Sequence, residues 1–298
     1  MRLLNPFFSR SKREQDKPIR DKLKDKKYFE KMLSIKLGEI ADDEKYIQKE
    51  RNNNDGIVRP FLYWCSAVDH IRAIEINYSM GEDIGQLRKL YTRSLDNYIL
   101  GANFRNPTYA DDLDRISLGI LLDIDNTAFN RLADYVLQMD GQAKSVGWTP
   151  STNGRFSPNA MDGQAKSVGW TPDQLLWFLL NARLGDDKKQ TYADKLAFPK
   201  LYKGLFKLTK IIDTQEAKKA LEDYIGKWYN LNKDAPWHDN HLMKYCYRGY
   251  WAWEVAAVAK IMHIDDSDLK DNPFYPYDMV HWKDNVTTEG HQHNSYSR

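Results

Sequence analysis

Cysteine is nearly absent from this chain of 298 residues, with Cys65 and Cys246 its whole complement. Two thiols so far apart make no CxxC pair, no zinc-type spacing and no disulfide framework. Each lies in an apolar, helix-like stretch, so two buried thiols in a reducing compartment are expected, with a lone disulfide as the alternative. Long apolar runs are also missing. Nothing approaches the roughly 18 consecutive apolar residues of a membrane span. The opening MRLLNPFFSRSKR carries a short apolar patch but neither the long h-region nor the cleavage site of a secretory signal. A cytoplasmic protein without a membrane partner is expected. Convincing strand alternation is lacking, and no GxSxG, HExxH or P-loop pattern occurs. What remains is the composition of a soluble globular protein, 42% apolar and 29% charged.

The formal net charge of +2 hides an asymmetry. Residues 1–36 hold twelve Lys or Arg against five Asp or Glu, so the rest of the chain sums to −5. A basic front end of this kind is a solvated arm or a contact for nucleic acid or membrane. The body behind it is mildly acidic.

Apolar residues recur at helical spacing almost throughout. Helices are expected over 28–50, over 59–81 with Pro60 in its first turn and Gly81 at its end, over 83–101, and near 109–122 and 127–138. Further helices are expected over 171–185, 192–210, 213–230 and 247–264. The fold class is all-α, a two-part helical bundle with a C-terminal extended strap rich in proline and aromatics. The expected divisions are a basic arm (1–19), an N-terminal helical domain (20–138), a linker (139–170), a C-terminal helical domain (171–285) and a flexible tail (286–298).

The linker contains MDGQAKSVGWTP twice, at 139–150 and 161–172, identical in all twelve positions. Structural repeats keep an apolar skeleton and let exposed positions drift, so two flawless copies point to a recent duplication or to an artificially introduced segment. In the second copy Thr171 is the expected N-cap, with Pro172 at the first helical position and Gln174 completing a capping box. In the first copy the same Thr149-Pro150 runs into STNG, where no helix grows. One copy suffices to connect the halves, and the extra residues are expected as a mobile surface loop. The alternative is a loop whose Trp148 inserts into a partner.

Few residues invite a catalytic reading. His238 and His241 stand at i, i+3 and could share a metal on a helix, but no third ligand follows at a recognisable spacing. The H-x-H pair at 291–293 sits in a polar tail. Glu254 lies in GYWAWEVAAVAKIM, apolar on nearly all sides, so its carboxylate is expected buried and matched by Arg248 or an amide. Without a second acid or a base in view its role is structural. No enzyme, cofactor or metal is expected.

The stretch IDDSDLKDNPFYPYDMVHW (264–282) is the most distinctive. Between 265 and 278 it holds Asp265, Asp266, Asp268, Asp271 and Asp278 against Lys270 alone. Pro273 and Pro276 stiffen the path and are expected to bar helix. Such a strap either packs with its acids in solvent or presents an edge, Tyr275 included, to a basic partner. Asp111, Asp112 and Asp114 form a second acidic group at a helix start, where the helix dipole is the other explanation.

GYWAWEVAAVAKIMHIDDSDLKDNPFYPYDMVHW resembles the signature of the C-terminal domain of the PoNi family. KWYNLNKDAPWHDNH is similar to the segment preceding it, and RDKLKDKKYFEKML and INYSMGEDIGQL resemble the family's first domain. Together these cover most of residues 20–283. The duplicated segment and the slightly basic net charge depart from the family. The resemblance implies a helical, non-enzymatic, cytoplasmic immunity protein. Its partner would be a cognate PoNe-type DNase toxin, delivered between bacteria by secretion systems such as type VI. No toxin-contact residue carries over by motif. The contacts expected on physical grounds are the acids named above and Tyr275, with Trp251, Trp253 and Glu254 assigned to the core. A nucleic-acid-binding protein using the basic stretch 10–36 is the alternative, and dimerisation is left open.

Deleting 139–160 or 151–172 yields one and the same shortened sequence, with both junctions intact. Because closing a long loop costs little, the shortened protein is expected to melt within a few degrees of the full chain. A loss of several kcal/mol in denaturant unfolding would contradict this.

Overall fold

A computed structural model describes residues 18–101, 108–138, 173–191 and 193–283. Expectations placed on the first 17 residues, on both copies of the duplicated segment and on the tail from 284 fall outside the described residues. Ten α-helices and no strand form among the described residues: α1 (Lys26–Asn53), α2 (Pro60–Ser79), α3 (Ile84–Gly101), α4 (Tyr109–Leu121), α5 (Asn126–Gln138), α6 (Gln174–Asn181), α7 (Pro199–Leu208), α8 (Thr214–Leu231), α9 (Trp253–Met262) and α10 (Tyr277–His281). None of them is long and apolar enough to cross a membrane.

Local chemistry explains most of the boundaries. Asp25 caps α1 by accepting from the Tyr28 amide at 2.7 Å. Pro60 opens α2, and Gly81 follows its end at φ 86, a left-handed value that glycine adopts without steric cost. Three expectations are corrected. The helix expected from 171 runs from Gln174, capped by Asp173, whose carboxylate accepts from the Leu175 and Leu176 amides. The helix expected from 247 begins only at Trp253, because Cys246 (φ 83) and Gly249 (φ 114) are left-handed. Nor do the prolines bar helix from 264–282: Ser267–Leu269 makes a 3-10 turn, and Pro276 serves as the N-cap of α10. The cysteines are the expected free thiols rather than a disulfide, but neither is fully buried, Cys65 being half-buried and Cys246 exposed.

The described chain divides into two compact units that do not follow the sequence halves. The first takes the residues up to Asp112, those from Asp123 to the end of α5, and Asp234–Tyr250; the second takes Leu113–Leu122, α6 through Lys233, and Trp251 onward. Each half of the sequence thus lends a segment to the unit built mainly from the other half.

In the first unit α2 packs against both α1 and α3, and α5 packs against α3. Phe29, Met32 and Leu33 of α1, Ala67 and Ile74 of α2, Leu87, Tyr91 and Leu95 of α3, and Phe129 and Leu132 of α5 are buried. Trp64 stacks on Tyr98 with centroids 5.8 Å apart, and Tyr98 meets Tyr135 edge-on at 5.5 Å. Beside this stack α2 and α3 touch backbone to backbone. A Cβ at Gly101 would lie 2.6 Å from the Trp64 nitrogen.

In the second unit α9 is enclosed, every residue from Trp253 to Ala259 being buried. Leu113–Leu122 enters this core with Ile116, Leu118, Leu121 and Leu122 buried. The Leu121 carbonyl, at the last turn of α4, accepts from Lys260 Nζ (3.1 Å) and Trp282 Nε1 (2.9 Å). Asp173 ties α6 to the following loop, since its second oxygen accepts from the Ala197 amide at 2.7 Å.

Glu254 is buried as expected, but its partner is the indole of Trp228, which donates Nε1–H at 2.7 Å. Arg248, one of the expected partners, instead pairs with Glu75 in the first unit. Desolvation pushes the Glu254 carboxyl from its usual 4.5 up to about 7, with the indole hydrogen bond opposing the shift. The hydroxyl-bearing rings of Tyr202 and Tyr224 lie close enough to feel its charge.

Two outcomes are expected. Gly101→Ala forces α2 and α3 apart and lowers unfolding stability by about 1–3 kcal/mol, read from urea melts. For Glu254, the unfolded chain releases its proton above about pH 4.5 while the folded chain keeps it until about 7. Stability is therefore lost as pH rises through that window. Glu254→Gln cannot ionise, so its stability relative to the parent improves by on the order of 3 kcal/mol between about pH 4.5 and about pH 8. A pH-independent difference between the two proteins would contradict the buried acid.

Candidate functional site

Two surfaces, one on each unit, combine exposed charge with aromatic or apolar side chains. The first is the acidic segment after α9. His263 ends that helix in the left-handed region (φ 52), turning the chain into 264–282. Asp265, Asp268, Asp271 and Asp278 are exposed. Lys218 of α8 bridges two of them, Asp265 at 2.7 Å and Asp268 at 2.7 Å, and holds the Asp265 carboxyl well below the usual carboxylate range. Lys218 thus pairs with two of the four exposed carboxylates.

Asp266 is different. It is 3% exposed and accepts from Tyr275 Oη at 2.6 Å, with His281 Nε2 at 2.7 Å from its other oxygen. Tyr275 is itself buried. As partner contacts Asp266 and Tyr275 are thus corrected: together with His281 they pin the segment to its own unit. Phe274 stacks on Tyr229 of α8 with planes 2° apart, and its carbonyl accepts from the Ala252 amide.

The acids at the start of α4 do not gather into a second surface. Asp112 is fully buried and accepts from Tyr98 Oη at 2.8 Å, which removes it from any partner. Asp111 is half-buried and accepts from the Thr108 amide and hydroxyl, a capping role. Asp114 is half-buried and close enough to Tyr202 to act on it electrostatically.

The second surface lies in Asp234–Tyr250, the segment lent to the first unit. Tyr247 donates from its hydroxyl to Asp21, while its amide donates to Tyr28 Oη. Burial raises the Asp21 carboxyl, and the Tyr247 hydrogen bond opposes that rise. Arg248 pairs with Glu75, and its carbonyl accepts from Ser79 Oγ at 2.6 Å. Tyr250 Oη lies 3.0 Å from both the amide and Nδ1 of His241, and the Trp237 and Tyr250 rings meet at 5.5 Å.

Over this platform Asn240–Leu242 forms a 3-10 turn. Leu242, Met243 and Tyr245 project from it, 76%, 56% and 41% exposed. Lys24 Nζ reaches the Met243 carbonyl at 3.4 Å, and Lys31 and Lys244 lie 5.1 and 5.4 Å from the Tyr245 ring centroid. Lys244 and Lys31 lower the Tyr245 phenol below its ordinary value.

His238 and His241, whose i, i+3 spacing the sequence offers without a third ligand, have partners within the chain. His238 Nδ1 faces Asp239 at 3.3 Å, and His241 serves Tyr250. Among the described residues no group of three potential ligands is placed to hold a metal ion. The segment that carries Leu242, Met243 and Tyr245 is a surface that the sequence alone does not single out. No signal in the sequence marks it, since Leu242 and Tyr245 at i, i+3 are equally compatible with a buried helical face.

Comparison with known proteins places these features in a family. The model of PoNe immunity proteins, N-terminal, matches residues 20–134, and that of PoNe immunity proteins, C-terminal, matches residues 171–279. The crystal structure of protein PA2201 from Pseudomonas aeruginosa is similar in fold, with a TM-score of 0.61 at 17% identity over 90% of this chain and 91% of that one. No curated protein matches. With both family domains present in order along one polypeptide, this chain belongs to the PoNe immunity (PoNi) proteins.

Proposed function

We propose that this chain protects the cell that makes it by binding a cognate PoNe-type DNase toxin in the cytoplasm and blocking DNA cleavage, without catalysing a reaction itself. The observation that carries this reading is the ordered match to both immunity-family domains across one chain.

Electrostatics supports the same direction. A DNase grips phosphate with positive charge. An inhibitor with exposed carboxylates is drawn toward that face and competes with DNA for it. Asp265, Asp268, Asp271 and Asp278 supply such a steering edge, held in place by the buried Asp266–Tyr275–His281 cluster. Lys218 moderates the edge but does not cancel it. Steering of this kind governs association more than residence time.

The test is rescue. Cells expressing a cognate PoNe-type toxin are expected to survive when this chain is co-expressed, and purified chain and toxin to form a one-to-one complex. Absence of both would end the reading. Reversing Asp265, Asp268, Asp271 and Asp278 to lysine is expected to slow association on the order of tenfold at low ionic strength, with the effect fading in salt. Unchanged association at low salt would remove the acidic edge as the steering surface.

A further inference from the structure

The turn at 239–246 in the first unit has features that packing within the chain does not explain. Leu242, Met243 and Tyr245 cluster three large side chains on a surface where isolated apolar residues are the norm. The backbone beneath them is held in a costly shape. Asp239 (φ 61) and Cys246 (φ 83) bracket the turn, both left-handed and neither a glycine. Such conformations persist only where the surroundings impose them, and they concentrate at functional sites. Here the surroundings are named groups: His241 on Tyr250, the Tyr247 hydroxyl on buried Asp21, and Arg248 on Glu75. Three amines frame the cluster, Lys24, Lys31 and Lys244, and among the described residues no carboxylate pairs with any of them.

We propose that Leu242, Met243 and Tyr245 are the anchor by which this chain seats in an apolar pocket of its toxin, and that Lys24, Lys31 and Lys244 pair with carboxylates at the rim of that pocket. The proposal rests on the toxin-binding reading above and adds the place and chemistry of the contact. Binding energy concentrates in a few large side chains that enter a desolvated pocket. A loop already fixed in its bound shape loses little freedom on docking, which is what the pinned ends of this turn provide. Tyr245 suits the role, since it offers wide contact area on two rotatable bonds with a polar tip. The unpaired amines define the partner's chemistry. An all-cationic rim is matched by an anionic one and repelled by a basic one. The anchor therefore meets a carboxylate-bearing part of the toxin, not the phosphate-gripping face that the acidic edge of the second unit suits. The two surfaces divide the work: the edge sets the rate of encounter, and the anchor sets the residence time.

The experiment uses the full-length chain and a cognate PoNe-type toxin, silenced by an active-site substitution, with association and dissociation followed separately. Leu242→Ser, Met243→Ser and Tyr245→Ala, combined, are expected to raise the dissociation rate on the order of 100-fold while leaving the melting temperature within a few degrees. Lys24→Glu, Lys31→Glu and Lys244→Glu, combined, are expected to weaken binding at least about tenfold. Ile212→Ser, at a position 96% exposed on the second unit, is the control and is expected to change nothing. Wild type binding with the anchor variant within about threefold of it would overturn the anchor alone. Wild type failing to bind at all would overturn the toxin reading instead. A dimer of the free chain that dissolves in the anchor variant would assign the turn to a second copy and overturn the proposal.

Discussion

A carboxylate taken out of water needs donors around it or must keep its proton, and both units are organised by how they meet that requirement. Asp21 receives the Tyr247 hydroxyl, Asp112 that of Tyr98, and Asp173 three backbone amides from two segments. Asp266 gathers Tyr275 and His281, and Glu254 takes the Trp228 indole and a raised pKa. The Asp21–Tyr247 contact joins the two ends of the chain, and the others tie an element to a neighbouring segment. Removing one partner of such a pair strands a buried polar group, which costs more than the bond itself contributes net. The arrangement is therefore specific as well as stabilising.

Polar contacts also secure the exchange of segments between the two sequence halves. Asp234–Tyr250 is held in the first unit through Asp21, Glu75 and Ser79, and Leu113–Leu122 in the second through the Leu121 carbonyl. A family match written as an N-terminal and a C-terminal domain thus describes sequence order, while the compact units cut across it. The two candidate surfaces depend on such contacts. The 3-10 turn at Asn240–Leu242 can hold apolar side chains in solvent because its flanks are pinned, and the acidic edge keeps its shape because Asp266 is buried beneath it.

The helices were legible from spacing. Phe29, Met32, Leu33, Ile40 and Ile47 of α1 are buried as their intervals predict, and Pro60 and Gly81 bracket α2 where proline and glycine signals place its ends. The errors came where backbone conformation departs from what residue type favours. Nothing in CYRGYW announces that Cys246 is left-handed, so α9 was begun six residues early. The proline-rich stretch was read as wholly extended, although Pro276 is compatible with the start of a helix, where its missing N–H is no loss.

Composition and periodicity by themselves determined an all-α chain with a mildly acidic body, because helical spacing and net charge are properties of the linear order. Letter by letter, the C-terminal half also carried its family signature. Only the tertiary structure decided which acids are surface and which are pins. Asp265 and Asp266 are neighbours of the same type, yet one faces solvent and Lys218 while the other lies under Tyr275 and His281. Burial is set by what folds over a residue from elsewhere in the chain. For the same reason Leu242, Met243 and Tyr245 could be recognised as exposed only once the segment around them was seen docked, with its own core contacts already filled.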